Sequence, residues 1–276
     1  MVQRIKAVRF LHIPKTAGST FNSILRRQYS GKTVFYLEPD SVSNIESYRK
    51  LCQSNNNRVA LFLGHAPITT GLNDADSARI IVFLRDPISR IRSFCQHVSE
   101  GKSAYLVKEF PPGSFSLDKF LFSGNRELEN LQTKMLINDG DCASSKKINN
   151  MSFECARDLA LNNLEKRIMC FGLQEYFDES LIYFSDRLGW GRKIPFYLRS
   201  NKKDTRRLLD FKPHHIERIA EMNAIDREVY EAAKKQFFGM LDSGVIDKQR
   251  LNSFRLINKV CAIPLKIARS VKRSIQ

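Results

Sequence analysis

A short apolar run, Val8-Arg9-Phe10-Leu11, breaks into His12-Ile13-Pro14-Lys15-Thr16-Ala17-Gly18-Ser19-Thr20 and passes into the helical pattern of Phe21-Asn22-Ser23-Ile24-Leu25-Arg26-Arg27. That order reads as strand, tight loop, helix. Such a junction suits an anion. The first amides of the helix have no intrahelical acceptor, the helix dipole is positive at that end, and Gly18 lets backbone approach closely, while Lys15, Ser19 and Thr20 add a charge and two hydroxyls. A phosphate-like group is the expected occupant, against the plainer reading of an ordinary turn with a solvated lysine.

In the common nucleotide-triphosphate loop the lysine follows the glycines. Here Lys15 precedes Gly18, which weighs against a kinase. The net charge of +16 predicts attraction to anions, whether nucleotide, polyanionic glycan, acidic lipid or nucleic acid. No Cys/His finger spacing, glycine-aromatic RNA signature or leucine heptad singles out nucleic acid. With 276 residues, 42% hydrophobic and 27% charged, the chain is globular and long enough for one large α/β domain or two small ones. The cysteines (Cys52, Cys95, Cys142, Cys155, Cys170, Cys261) form no Cys-x-x-Cys pair, so neither a zinc site nor a redox dithiol is expected, and Cys95 and Cys170 read as buried free thiols. The first residues run straight into the first strand with no signal peptide or spanning helix, which predicts a cytoplasmic protein.

Further strands are expected at Thr33–Leu37, over 59–67 and at Ile80–Leu84, with loop and a short helix over 38–57. The third run stops at Gly64-His65. In open parallel sheets ligands sit beyond the carboxyl ends of the strands, so His65 belongs on the same rim as Lys15. The fourth run ends in Arg85-Asp86-Pro87-Ile88-Ser89-Arg90-Ile91-Arg92-Ser93-Phe94, where Pro87 suits a first helical turn and Asp86 its cap. A magnesium-dependent phosphotransferase would want a carboxylate at such a strand end, whereas Arg85 offers a guanidinium to a second anion.

Together the two segments resemble the sulfotransferases. His12 to Thr20 is similar to their 5′-phosphosulfate loop, and Phe83 to Phe94 to their 3′-phosphate segment, in a branch that includes the uronyl 2-O-sulfotransferases and many bacterial proteins. The resemblance spans roughly residues 7 to 238 and implies a three-layer, P-loop-like α/β fold with a central parallel sheet flanked by helices, here over 1–250, followed by a basic amphipathic segment over 251–276. It implies 3′-phosphoadenosine 5′-phosphosulfate (PAPS) as donor, without a metal. Lys15, Thr16, Ala17, Gly18, Ser19 and Thr20 would surround the phosphosulfate, and Arg85 and Ser93 would hold the 3′-phosphate. Lys15 would also stabilise charge on the leaving nucleotide. His65 would be the general base, matching the second histidine of the branch's His-Gly-His arrangement, whose first histidine is absent from Leu63-Gly64-His65. The expected reaction is sulfuryl transfer to a hydroxyl, with a glycan or glycolipid as expected acceptor. The competing readings are a metal-dependent P-loop kinase and a non-enzymatic polyanion- or nucleic-acid-binding protein.

The rest of the chain fills in that outline. The aperiodic stretch 99–124, broken at Phe110-Pro111-Pro112-Gly113, is where an acceptor would be gripped. A helix over 128–136 contains Asn130-Leu131-Gln132-Thr133-Lys134, which resembles a recurrent bacterial family stretch and leaves open whether its polar residues face donor, acceptor or solvent. A helix over 152–165, a strand at Ile168–Leu173 and a helix over 175–184 follow. Asn201 and Lys203 lie in a basic loop where the family closes over the nucleotide, and are assigned to the donor. One helix is expected from 212 to 238, with His214 and His215 as bystanders and an Asn223-x-x-Asp226-x-x-x-Tyr230 pattern similar to the family's. From Leu251 onward Arg255, Lys259, Lys266, Arg269, Lys272 and Arg273 occur with no acidic residue, which suits either an acidic membrane surface, making the protein peripheral at the inner membrane, or a helix packed on the domain.

Overall fold

The computed structural model describes residues 6–39, 41–54, 58–137, 151–190, 197 and 209–260. Its centre is an all-parallel, five-stranded sheet of β1 (Val8–Leu11), β2 (Thr33–Leu37), β3 (Val59–Gly64), β4 (Arg79–Leu84) and β5 (Ile168–Leu173), in the order β2-β3-β1-β4-β5. The inner strands are covered on both faces, which explains runs such as Ile80-Ile81-Val82-Phe83-Leu84 with no polar alternation. Helices α1 (Gly18–Gln28) and α8 (Phe177–Arg187) bring Phe21 and Phe184 onto the sheet. The ring of Phe21 lies 4.8 Å from that of Phe10 and 4.9 Å from Phe83, and Phe83 lies 5.1 Å from Phe184. Helix α2 (Ser41–Ser54), longer than the short helix expected there, packs Tyr48 on Phe35 and Phe62 at the β2 edge.

The order of strands decides where a ligand can go. From β1 the chain passes to β2 and returns through β3, and only then crosses to β4 on the other side of β1. Connections leave β1 and β4 in opposite directions, which opens a crevice between their carboxyl ends. The Lys15 loop and Arg85 occupy those two ends.

Arg9 sits fully buried in the middle of this apolar sheet. Its Nη1 donates to Ile68 O at 2.9 Å and to Asp76 Oδ1 at 3.0 Å, and Nη2 donates to Pro67 O. Asp76, at the end of α3 (Asn73–Asp76), also accepts from the amides of Thr70 and Gly71 at 2.9 and 3.1 Å. Arg9 thus fixes the segment that leaves β3 just after His65.

Helix α4 (Pro87–Ser99) follows β4, with Asp86 as N-cap accepting from Ser89 N at 2.7 Å and Pro87 in its first turn, as the sequence predicted. Beyond it the stretch 99–124 has its own small core. Leu106, Phe110 and Phe120, the last from α5 (Leu117–Leu121), pack with Phe94 and with Ile219 of α9 (Pro213–Met222). Helices α6 (Leu131–Ile137) and α7 (Phe153–Lys166) precede β5.

The single helix expected over 212–238 is two, α9 and α10 (Ala224–Asp242), divided at Asn223. Asn223 has left the helical region (φ −120°, ψ 32°), because its side chain serves two backbones. Its Nδ2 donates to Leu128 O at 2.8 Å and Ile219 O at 2.9 Å, and its Oδ1 accepts from Asn130 N at 3.2 Å. Residues 248–260 form a last helix. Leu251 and Phe254 join the central core, and Arg255 reaches Asp178 and Glu179 at 3.3 and 2.6 Å, whereas Leu256, Ile257 and Val260 remain exposed. Among the described residues no helix is long and apolar enough to cross a membrane. Cys95 and Cys170 are buried free thiols, each pushed up to about 12 by burial, and Cys52 and Cys155 are exposed free thiols; Cys142, Cys261 and residues 261–276 lie outside the described residues.

Candidate active site

A cavity of about 850 Å³ opens at the carboxyl rim, between the loop after β1 and the turn after β4. It lies toward the upper end of the roughly 300–1,000 Å³ common for small-molecule sites. Lys15, Ala17, Gly18, Ser19 and Thr20 line one side, His65 an adjoining edge, and Arg85 and Ser93 the other side. The structure therefore brings together all the sequence-predicted site residues but three. Thr16 is buried, with its hydroxyl donating to Ile13 O at 2.9 Å, so it shapes the turn and leaves the cavity to its neighbours. Asn201 and Lys203 lie outside the described residues.

The loop's backbone is unusual. Lys15 and Ala17 both adopt left-handed φ values, 71° and 73°, an uncommon conformation for residues with a Cβ. Ala17 is the N-cap of α1 and offers no side-chain acceptor to the helix's first amides. Gly18 is required for a different reason: a Cβ there would stand 1.5 Å from Nε2 of His12. Lys15 is largely buried, and burial, Arg85 and Lys102 together lower its ammonium from 10.5 to about 8.

The opposite wall is held by side chains from distant parts of the chain. Gln132 clamps Arg85 through both backbone groups, accepting from its N at 2.9 Å and donating to its O at 2.8 Å. Glu175 accepts from Asp86 N at 3.1 Å and from Tyr230 Oη at 2.9 Å. The Arg85 guanidinium crosses the crevice, where Nη1 donates to Lys15 O at 3.0 Å, while its buried Nε has no protein partner among the described residues. The sequence left the polar side of Gln132 open among donor, acceptor and solvent; it faces none of them, being 1% exposed and spent on Arg85. Arg90 of α4 is fully buried, and its Nη2 donates to Glu127 O at 2.7 Å, fixing the turn that presents Arg126 and Glu127 to the cavity.

His65 follows Gly64, whose φ of +143° and close approach to Leu37 O exclude any side chain. The Nδ1 of His65 lies 2.8 Å from His12 O. A carbonyl oxygen only accepts, so Nδ1 carries a proton, and in the neutral ring Nε2 has the lone pair. The two imidazoles stand 4.2 Å apart, and His12 packs on Phe10 at 5.3 Å. Burial, His65 and Lys15 push His12 down to about 3, so it is neutral at ordinary pH. Although the sequence lacks a histidine just before Gly64, the fold supplies a second imidazole from the end of β1.

His214 and His215 do not line the cavity, as expected of bystanders to it, but they have a structural role. Each Nε2 reaches Asp118 Oδ1, at 3.2 and 2.9 Å, tying α9 to α5 and holding Asp118 below its usual value through those hydrogen bonds. Their ligand atoms lie within 4.8 Å of one another, close enough for a metal. However, Nδ1 of His215 accepts from Lys212 N at 3.1 Å, which puts the ring's proton on the nitrogen facing Asp118, whereas a metal-binding imidazole carries it on the far side. The cluster suits a hydrogen-bonded tie better than a metal centre.

Sequence reasoning missed the further cavity-lining groups His97, Tyr105, Arg126, Glu127 and Glu175, whereas Lys134, from the stretch whose polar residues were left open, does line the cavity. His97 was within reach, one helical turn beyond Ser93 on α4. Glu175 and Glu127 carried no local signal. No family model matches the chain, and no curated protein matches it.

Proposed function

We propose that the chain is a sulfotransferase of the P-loop-like fold, which takes a sulfuryl group from PAPS and passes it to a hydroxyl, with a carbohydrate as acceptor. The observation that carries this reading is that the Lys15 loop and the Arg85–Ser93 wall line one cavity and are joined by the Arg85-to-Lys15 O hydrogen bond at 3.0 Å. Two anion sites facing one cavity suit a ligand with phosphate at both ends of a nucleoside. The order Lys15 before Gly18, and a guanidinium at the β4 end, favour this donor over a nucleoside triphosphate.

In this mechanism the Lys15 ammonium and the amides at the start of α1 would hold the 5′-phosphosulfate, and Arg85 and Ser93 the 3′-phosphate. An acceptor hydroxyl attacks sulfur as its proton passes to Nε2 of His65. The new O–S bond forms while the bond from sulfur to the 5′-phosphate oxygen breaks, and adenosine 3′,5′-bisphosphate leaves with the added negative charge on its 5′-phosphate. The fixed tautomer of His65 presents the lone pair that this step needs. Lys15 stabilises the leaving charge.

Incubation of the purified protein with ³⁵S-labelled donor and fractionated envelope polysaccharide and lipid tests the proposal. Label should move to a carbohydrate-containing fraction, and His65→Ala should lower the rate by about 10²-fold or more while bisphosphate binding persists. Magnesium-dependent ATP turnover with no sulfuryl transfer would instead identify a kinase. Steeply salt-dependent DNA binding, unaffected by the bisphosphate, would identify a polyanion-binding protein.

A further inference from the structure

Within the stretch Asn130-Leu131-Gln132-Thr133-Lys134, four residues are spent on the fold. Asn130 Oδ1 accepts from the amides of Ile225 and Asp226, both at 3.1 Å, and Leu131 packs in the core. Gln132 clamps Arg85, and the Thr133 hydroxyl donates to Asp226 Oδ1 at 2.7 Å. Asp226 also accepts from the amides of Gln132 and Thr133, at 3.1 and 2.7 Å, so the start of α6 is capped. Lys134 is left over. Its side chain is only 6% exposed, yet it lines the cavity, and its ion-pair partner is Glu129 at 3.3 Å, a carboxylate whose own side chain is 55% exposed. A solvated carboxylate at that distance offsets little of what it costs to bury an ammonium. An anion in the cavity would offset far more.

Helix α6 also fixes where that ammonium stands. One end is bolted to the Arg85 turn through Gln132. At the other, Met135 O accepts from Ile68 N at 2.9 Å, on the segment that leaves His65, and Leu136 O accepts from Asn163 Nδ2 at 2.8 Å. Lys134 therefore lies between the nucleotide wall and the segment carrying the base. Resting on the sulfotransferase reading, we propose that Lys134 is a second cation at the transferring sulfuryl group, donating to its oxygens from the side opposite the Lys15 loop.

PAPS and adenosine 3′,5′-bisphosphate differ by that sulfuryl group alone, so the ratio of their affinities isolates the contact without any acceptor. Calorimetric titrations of both, on the intact chain and on Lys134→Met, Lys134→Arg and Glu129→Gln, test the proposal. Lys134→Met should weaken PAPS about 10- to 100-fold, the range for a hydrogen bond to a charged group, and the bisphosphate less than about twofold. Lys134→Arg should recover most of the loss, and Glu129→Gln should leave the ratio unchanged. The Met variant should unfold at a temperature no lower than the wild type, because it replaces a buried charge by an apolar chain of similar length. Should Lys134→Met unfold, Lys134→Arg and Lys134→Gln carry the same ratio test. Equal loss of both ligands, loss of neither, or the same change of ratio in Glu129→Gln would overturn the proposal. Wild-type protein that binds neither ligand would overturn the sulfotransferase reading itself.

Discussion

The two walls of the cavity are built in opposite ways. The loop after β1 relies on its own backbone: left-handed Lys15 and Ala17, a glycine pressed against His12, and an uncapped helix start. The turn after β4 relies on others: Gln132 from α6, Glu175 from beyond β5 and Tyr230 from α10. The first wall holds its charge at a cost. Lys15 is lowered from 10.5 to about 8, so folding disfavours its ammonium. That penalty is complete below about pH 8 and fades as pH rises toward 10.5. The second wall is stabilised by the same contacts that aim Arg85. Burial also disfavours the Arg85 guanidinium, whose Nε has no protein partner among the described residues, so both walls hold charge at a cost, and they differ in whether the supporting contacts are local or distant.

Breaking either wall should expose that difference. The largest effect is expected from Lys15→Ala, which should weaken adenosine 3′,5′-bisphosphate roughly 100-fold without lowering the unfolding temperature at pH 7. Titration calorimetry and a thermal scan check both halves. Next comes Gln132→Ala, which strands the amide and carbonyl of Arg85 and should cost about 2 kcal/mol of stability together with roughly tenfold in bisphosphate affinity. If Gln132→Ala spared stability, the clamp would not be structural. The pH response is of similar or smaller size. Because the bound anion restores the Lys15 proton, binding takes up a proton, and affinity should fall by up to about tenfold between pH 7 and pH 9. Lys15→Arg should flatten that profile. The smallest effect belongs to a region remote from both walls: Asp118→Asn should lower the unfolding temperature slightly at pH 7 and leave bisphosphate affinity unchanged. Asp118 is held below its usual value by His215 and His214, so its contribution is present above the ordinary carboxylate range and lost as pH falls through its folded value. The deficit of the variant should shrink on acidification.

The same contrast explains what the sequence disclosed. The first wall was legible because its causes are local. Strand, loop and helix lie within Val8–Gln28, and Asp86-Pro87 announces the start of α4 as plainly. Strand β5 was legible to the residue, as an apolar run between polar neighbours. The second wall was not, because its supports are separated from Arg85 by long stretches of chain. No periodicity shows that Gln132 faces Arg85, or that Asn223 breaks a helix in order to bridge Leu128 and Ile219. Arg9 was hidden differently: inside an apolar strand it reads as an interruption, until the fold brings Asp76 and the carbonyls of 67 and 68 around it. The Thr16 hydroxyl is spent on the turn, at Ile13 O, a use that residue type alone does not separate from ligand binding.

The central claim is that the two walls grip opposite ends of one nucleotide, and parallel calorimetric titration with adenosine 3′,5′-bisphosphate and 5′-AMP, in the presence of a chelator, tests it most directly. The account predicts that the bisphosphate binds at least about tenfold more tightly, and that Arg85→Ala or Ser93→Ala abolishes most of the difference while affecting 5′-AMP little. Equal affinity for the two nucleotides in the unaltered protein would contradict it.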